Sequence, residues 1–131
     1  MIQLDLRSSQ PLYEQITAQY KYMMLQGYLS KGDAIPSVRK LAIQLNITPG
    51  TVSKAYRELE RQGLIETIRG KGTYIAGIPS GDSVRNEEKI MRVKEELKEQ
   101  IMELVYQGLD GEEIVRLVEE ILRGLKGGKN V

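Results

Sequence analysis

Up to Gly63, apolar residues recur at the three- and four-residue spacing of helices; from residue 64 to 76 they alternate. Leu12, Ile16, Tyr20 and Met23 stand four, four and three apart. They predict a first helix that opens with Pro11 as its first residue and is ended by Gly27. Val38, Leu41, Ala42 and Leu45 repeat the i, i+3, i+4, i+7 stripe. Ser37 is placed to cap this second helix, and Asn46 suits the left-handed conformation that closes one. Two residues later Thr48 is expected to cap a third helix with Pro49 at its first position. Its stripe is Val52, Ala55, Tyr56 and Leu59, and Gly63 supplies the stop. The segment "LIETIRGKGTYIA" then alternates apolar and polar residues around Gly-Lys-Gly, which predicts a β-hairpin with strands near 64–69 and 73–76. Three helices and a hairpin, with a two-residue joint between the second and third helices, form a winged helix-turn-helix plan.

The stretch "AGIPSGDS", residues 76–83, concentrates Gly, Pro and Ser and marks a boundary. The expected organisation is a winged helix-turn-helix domain over 1–77, a linker over 78–83 and a helical segment over 84–131. In that segment Ile90, Val93, Leu97, Ile101 and Leu104 make one apolar seam of a long helix. Asp110 and Glu113 have the spacing of a capping box, with Leu109 and Ile114 as a hydrophobic staple. Ile114, Leu117, Val118, Ile121 and Leu125 then line a second helix. Two helices of this size cannot enclose a core alone. They must pack on the front domain or on a second copy, and the intervening linker favours the second copy. The fold class is therefore mostly α with a small β-hairpin, a winged helix followed by a two-helix dimerisation segment.

Composition narrows the chemistry. The chain of 131 residues has no Cys and no His. Disulfides, His/Cys zinc sites and His-based triads are thereby excluded. No stretch has the roughly 18 uninterrupted apolar residues of a membrane span, and the N-terminus lacks a secretory pattern, so a cytoplasmic location is expected. The pairs of glutamates along residues 84–131 are interleaved with Lys and Arg and read as solvated helix faces, not metal ligands. No cofactor, metal or catalytic residue is expected, and the chain does not read as an enzyme. Net charge is +1, but residues 1–79 hold ten Lys/Arg against six Asp/Glu, or +4, and residues 80–131 hold nine against twelve, or −3. Only the front half is suited to a polyanion.

The third helix opens on "TPGT", which offers almost nothing to pack. A helix end that enters a DNA major groove must approach phosphates and base edges closely, so small residues there are an advantage. Its free N–H groups and positive dipole end also face phosphate oxygens. Opposite the apolar stripe lie Gly50, Ser53, Lys54, Arg57 and Arg61, with Thr51 at the edge. Arg39 lies on the exposed side of the second helix's first turn, where such a helix crosses the backbone. The hairpin tip "RGKG" adds Arg69 and Lys71 beside glycines. Together these three cationic elements point to double-stranded DNA. A protein-interaction module that uses this fold without DNA is the second reading.

The run "GYLSKGDAIPSVRKLAIQLNITPGTVSKAYRELERQGLIETIRGKGTYIA", with "PLYEQI" before it, resembles the winged-helix domain of GntR-family bacterial transcription regulators. The matching pieces are G-x-L…G-D…P-S-x-R-x-L-A, T-V-x-x-A-Y-x-x-L and G-L-I…G-x-G-T-Y, over residues 8 to 77. The short two-helix tail resembles the YtrA-like subgroup, in which it implies dimerisation. The resemblance implies that Arg39 contacts DNA from the second helix, that Thr51 is a recognition-helix threonine and that Gly72 lies in a wing reaching the minor groove. Pro49 and Gly50 stand where many members carry arginine or threonine, and Ser53 where many carry arginine; Lys54 and Arg57 are then expected to take over part of that work. The expected DNA-contacting set is Arg39, Thr48, Thr51, Ser53, Lys54 and Arg57 with Arg69, Lys71 and Gly72 of the wing. The expected function is a homodimeric, sequence-specific DNA-binding regulator, with repression implied by the resemblance.

Overall fold

In the computed structural model, which describes residues 2–78 and 86–125, helix α1 spans Leu12–Leu25 with Pro11 as its N-cap, so it begins one residue later than expected. It buries Ile16, Tyr20 and Met24 together with Gln15 and Thr17. Met24 takes the inward place expected for Met23, which is only partly covered. Helix α2, Val38–Leu45, starts at Ser37, whose hydroxyl accepts the Lys40 N–H at 3.1 Å, and ends at Asn46 with φ 55°. Helix α3, Pro49–Arg61, has Thr48 at its N-cap and Pro49 in its first turn. Thr48 does not cap through its side chain: its hydroxyl lies 3.1 Å from that of Thr51 instead of accepting a backbone N–H.

The hairpin strands are β2, Ile65–Ile68, and β3, Gly72–Ile75, each a little shorter than or offset from the expected bounds. A further strand, β1 (Ala34–Ile35), pairs with β3, so the wing belongs to a three-stranded antiparallel sheet of order β1-β3-β2. Ala34 stands opposite Tyr74 and Ile35 opposite Thr73; on the other side Ile65 faces Ile75 and Ile68 faces Gly72. This pairing anchors the segment just before α2 to the central strand of the wing.

Ile16, Val52, Leu59 and Ile75 are the largest fully buried side chains among the described residues, from α1, α3 and the sheet. Each aliphatic side chain so buried contributes about 1.5–3 kcal/mol relative to exposure. The chain preceding α1 also joins the core: Ile2 is buried and Leu4 packs beside it. Two glutamine side chains hold this arm as a neighbouring strand would. Gln19 accepts the Gln3 N–H at 2.8 Å and donates to the Gln3 carbonyl. Gln15 accepts the Asp5 N–H at 2.8 Å and donates to the Asp5 and Gln10 carbonyls at 3.0 and 2.9 Å. Gln15 is thus buried with its amide satisfied, as a buried polar group must be.

Contacts divide the chain into two compact units, Met1–Pro79 and Ser80–Val131. Most of the expected linker, from residue 79 onward, lies outside the described residues. In the second unit, helix α4 spans Glu87–Tyr106, capped by Asn86 onto the Lys89 N–H at 3.0 Å. Helix α5 spans Gly111–Gly124 and opens with the expected capping box: Asp110 accepts the Glu113 N–H at 2.9 Å and Glu113 accepts the Asp110 N–H at 3.0 Å. Gly108, at φ 100°, makes the turn between them. No residue of α4 is buried, and on α5 only Ile114 is. Ile90, Ile101, Leu104 and Leu117 are half-buried, whereas Val93, Leu97, Val118 and Ile121 are exposed. Among the described residues no helix is long and apolar enough to cross a membrane.

Candidate nucleic-acid interface

The inward stripe of α3 fixes which side chains it can present outward. Val52, Ala55, Tyr56 and Leu59 are buried, so Gly50, Lys54 and Arg57 are exposed and Thr51 and Ser53 lie at the margin. A Cβ added at Gly50 would meet nothing within 4 Å, so the protein itself does not require a glycine in this turn. Arg39 is exposed on the first turn of α2.

The wing tip is a turn closed by the Lys71 N–H on the Ile68 carbonyl at 2.9 Å. Gly70 and Gly72 have φ 79° and 132°, in the half of backbone space that side chains disfavour. The Tyr74 hydroxyl donates to the Lys71 carbonyl at 3.0 Å and holds the tip from beneath. Arg69 and Lys71 are exposed on it.

Between α3 and the wing runs an open cleft of about 600 Å³. Its walls include Ser37 and Val38 from the start of α2, Ser53, Tyr56, Arg57 and Glu60 from α3, and residues 67–73 of the wing. The cleft brings together Ser53, Arg57, Arg69, Lys71 and Gly72. Arg39, Thr48, Thr51 and Lys54 are not among its walls. Glu60 is the acidic group in this cleft, and Ser37, Val38, Tyr56 and Thr67 join it without having been expected there.

Two cations of α3 have partners within the protein. Lys54 is exposed, but its ammonium lies 4.2 Å from the centroid of the Tyr13 ring, within the range of a cation–π contact. Arg61 donates through Nε to Glu58 Oε1 at 3.1 Å and forms a second, closer bond to Oε2. Hydrogen bonds from Arg61 and then from Gln62 hold the Glu58 carboxyl down to about 2. Arg61 is therefore neutralised by its own helix and differs from Arg57, whose side chain faces the cleft.

Beneath the cleft, the buried Tyr20 and Tyr56 rings meet edge to face, with centroids 5.9 Å apart. Their hydroxyls are 3.0 Å apart, and Tyr56 donates to the Pro36 carbonyl at 2.6 Å. Since Tyr56 has one proton to give, Tyr20 is the donor between the two. Burial pushes both phenols up, so both remain protonated donors at neutral pH.

A family model described as "Bacterial regulatory proteins, gntR family" matches residues 12–75. The HTH-type transcriptional repressor YtrA of Bacillus subtilis (strain 168) is 47% identical over 129 residues, covering 98% of this chain and 98% of that protein. Among solved structures, the transcriptional antiterminator from Listeria monocytogenes EGD-e aligns with a TM-score of 0.78 and 41% identity, over 92% of this chain and 89% of that one. The AraR DNA-binding domain, crystallised in complex with operator ORX1, aligns with a TM-score of 0.51 and 26% identity, over 58% of this chain and 95% of that one.

Proposed function

The chain belongs to the GntR family of bacterial regulatory proteins, and from that footing we propose that it is a homodimeric repressor that reads duplex DNA with α2, α3 and the wing. It is a DNA-binding transcription regulator. The observation that carries the detailed reading is the convergence of Ser53 and Arg57 on α3 with Arg69 and Lys71 on the wing across one open cleft.

In this reading the first turn of α3 enters the major groove, where Thr48, Gly50 and Thr51 allow close approach and the helix N-terminus faces phosphate. Ser53 and Arg57 follow the groove, Arg39 contacts the backbone or a base edge beside it, and the wing tip rests on the backbone or in the minor groove. Residues 84–131 clamp two copies together. The exposed apolar side chains Val93, Leu97, Val118 and Ile121 support that role, because a second copy would remove them from water. Repression would follow from occupation of a promoter, in line with the repressor named above, and the site of action is the cytoplasm.

Titrating a labelled duplex at several salt concentrations tests the DNA reading. Each neutralised phosphate adds about −0.9 to the slope of log K against log salt. The expected result is a steep slope for the parent and weaker binding for Arg39→Ala. Binding that ignores salt, or no binding to any duplex, would favour a protein-interaction module.

A further inference from the structure

Tyr56 belongs by spacing to the apolar stripe of α3, yet its hydroxyl reaches across the fold to a single backbone atom. That atom is the carbonyl of Pro36, the residue between strand β1 and the N-cap Ser37 of α2. Arg39 lies two residues beyond Ser37, and β1 pairs with β3 of the wing. The three DNA-facing elements therefore meet at this bond: α3 provides the donor, and the acceptor lies where the sheet hands over to α2.

We propose that Tyr56 is a positioning residue for DNA reading, fixing the start of α2, and with it Arg39, relative to the recognition face of α3. This inference rests on the DNA reading above and names what aligns its parts. Tyr56 does not touch DNA itself. Its ring lies in the floor of the cleft and its hydroxyl is turned inward, to Pro36 and Tyr20. Without the bond, the Pro36 carbonyl loses its donor, and the joint between Ile35 and Ser37 rests on the pairing of β1 with β3, the burial of Ile35 and the Ser37 cap.

Tyr20 supplies the comparison. Its hydroxyl donates to Tyr56 but does not reach Pro36, so Tyr20→Phe removes a buried hydrogen bond of the same network and leaves the Tyr56–Pro36 bond in place. Tyr56→Phe keeps the ring and removes both bonds, so the Tyr56–Pro36 bond is what distinguishes it from Tyr20→Phe. The two variants thus separate loss of stability from loss of alignment.

The test uses the full chain and a fluorescein-labelled duplex carrying the sequence that the parent selects from a random pool. Measurements are made at a temperature where circular dichroism shows both variants folded. Tyr56→Phe should weaken binding by about tenfold or more, and Tyr20→Phe by less than about threefold. Arg39→Ala is then added to each background. If Tyr56 acts by placing Arg39, the loss caused by Arg39→Ala should largely disappear once Tyr56→Phe is present and persist in full with Tyr20→Phe. Equal losses from the two Tyr variants, unchanged binding of Tyr56→Phe, or strict additivity with Arg39→Ala would overturn the proposal while leaving DNA binding intact. A parent that selects no duplex would instead remove the DNA reading, and this inference with it.

Discussion

The ammonium of Lys54 lies 4.2 Å from the centroid of the Tyr13 ring, which ties the second turn of α3 to the first turn of α1. The lysine remains exposed, so it is held over an aromatic face at the edge of the recognition surface and not buried. If it contributes a phosphate contact, Lys54→Ala should lower the salt slope of duplex binding by about one unit. Tyr13→Leu leaves the charge but frees the side chain. It should therefore weaken binding less than Lys54→Ala and leave the slope unchanged. An unaltered slope for Lys54→Ala would mean that the ammonium stays on Tyr13 in the complex.

Gly50 distinguishes an opening turn shaped by the protein from one shaped by its partner. It has open space where a Cβ would stand, and glycine in a helix is less stable than a good helix former by up to about 1 kcal/mol. Gly50→Leu should therefore leave the thermal midpoint unchanged or raise it. In the groove the same side chain would collide with DNA, and affinity for the selected duplex should fall by about tenfold or more. A stable variant that binds as tightly as the parent would show that this turn does not enter the groove. Gly72 is the contrast, because at φ 132° its substitution strains the backbone whether or not DNA is present.

The Glu58 carboxyl is held down to about 2 by Arg61 and Gln62. A carboxyl whose pKa is lower folded than unfolded adds stability above its unfolded value, near 4.3, and loses it as pH falls through the folded value. Stability should therefore decline between about pH 5 and pH 2, and Glu58→Gln should remove this part of the decline. The side chain is 32% exposed, so screening by solvent keeps the effect below about 1 kcal/mol. Urea unfolding of parent and variant at both ends of the window measures it. Identical pH dependence in the two proteins would mean that the pairing contributes nothing in solution.

Among the described residues, the core of the first unit is built from side chains between Ile2 and Ile75. A fragment ending at Gly77 should fold and should be monomeric, since the α4 and α5 seams are absent from it. Losing the second half-site costs the effective-concentration gain of a tethered pair, a factor of about 10²–10⁴ in apparent affinity. Sedimentation and binding of fragment and full chain should therefore differ together. A fragment that still dimerises, or a full chain that is monomeric, would remove the clamp role of residues 84–131.

What the sequence disclosed was local. Ser37, Asn46 and the Asp110–Glu113 box act within a few residues of themselves, so their chemistry can be read from neighbours. The two-residue strand Ala34–Ile35 has no pattern of its own; pairing with β3 alone makes it a strand. Tyr56 was legible as a core residue by its spacing, but the bond from its hydroxyl to Pro36 depends on how α3 packs against the joint before α2. The contact between Lys54 and Tyr13 is of the same kind, a meeting of two helices 41 positions apart in the chain. The buried arm did leave a signal: Ile2, Leu4 and Leu6 alternate as in a strand, and Ile2 and Leu4 pack inward while Leu6 stays exposed. Thr48 shows the limit of local reading, because a residue suited to capping bonds a neighbouring hydroxyl instead.

Selection of bound duplexes from a random pool by the full-length chain tests the central claim most directly, because recognition and symmetry are read in one experiment. A homodimer with one recognition helix per copy should enrich two inverted half-sites whose centres are about 10–10.5 base pairs, or a multiple of that, apart. Enrichment of a single unrepeated half-site would contradict the dimer, and a pool that stays random through successive rounds would contradict sequence-specific DNA binding itself.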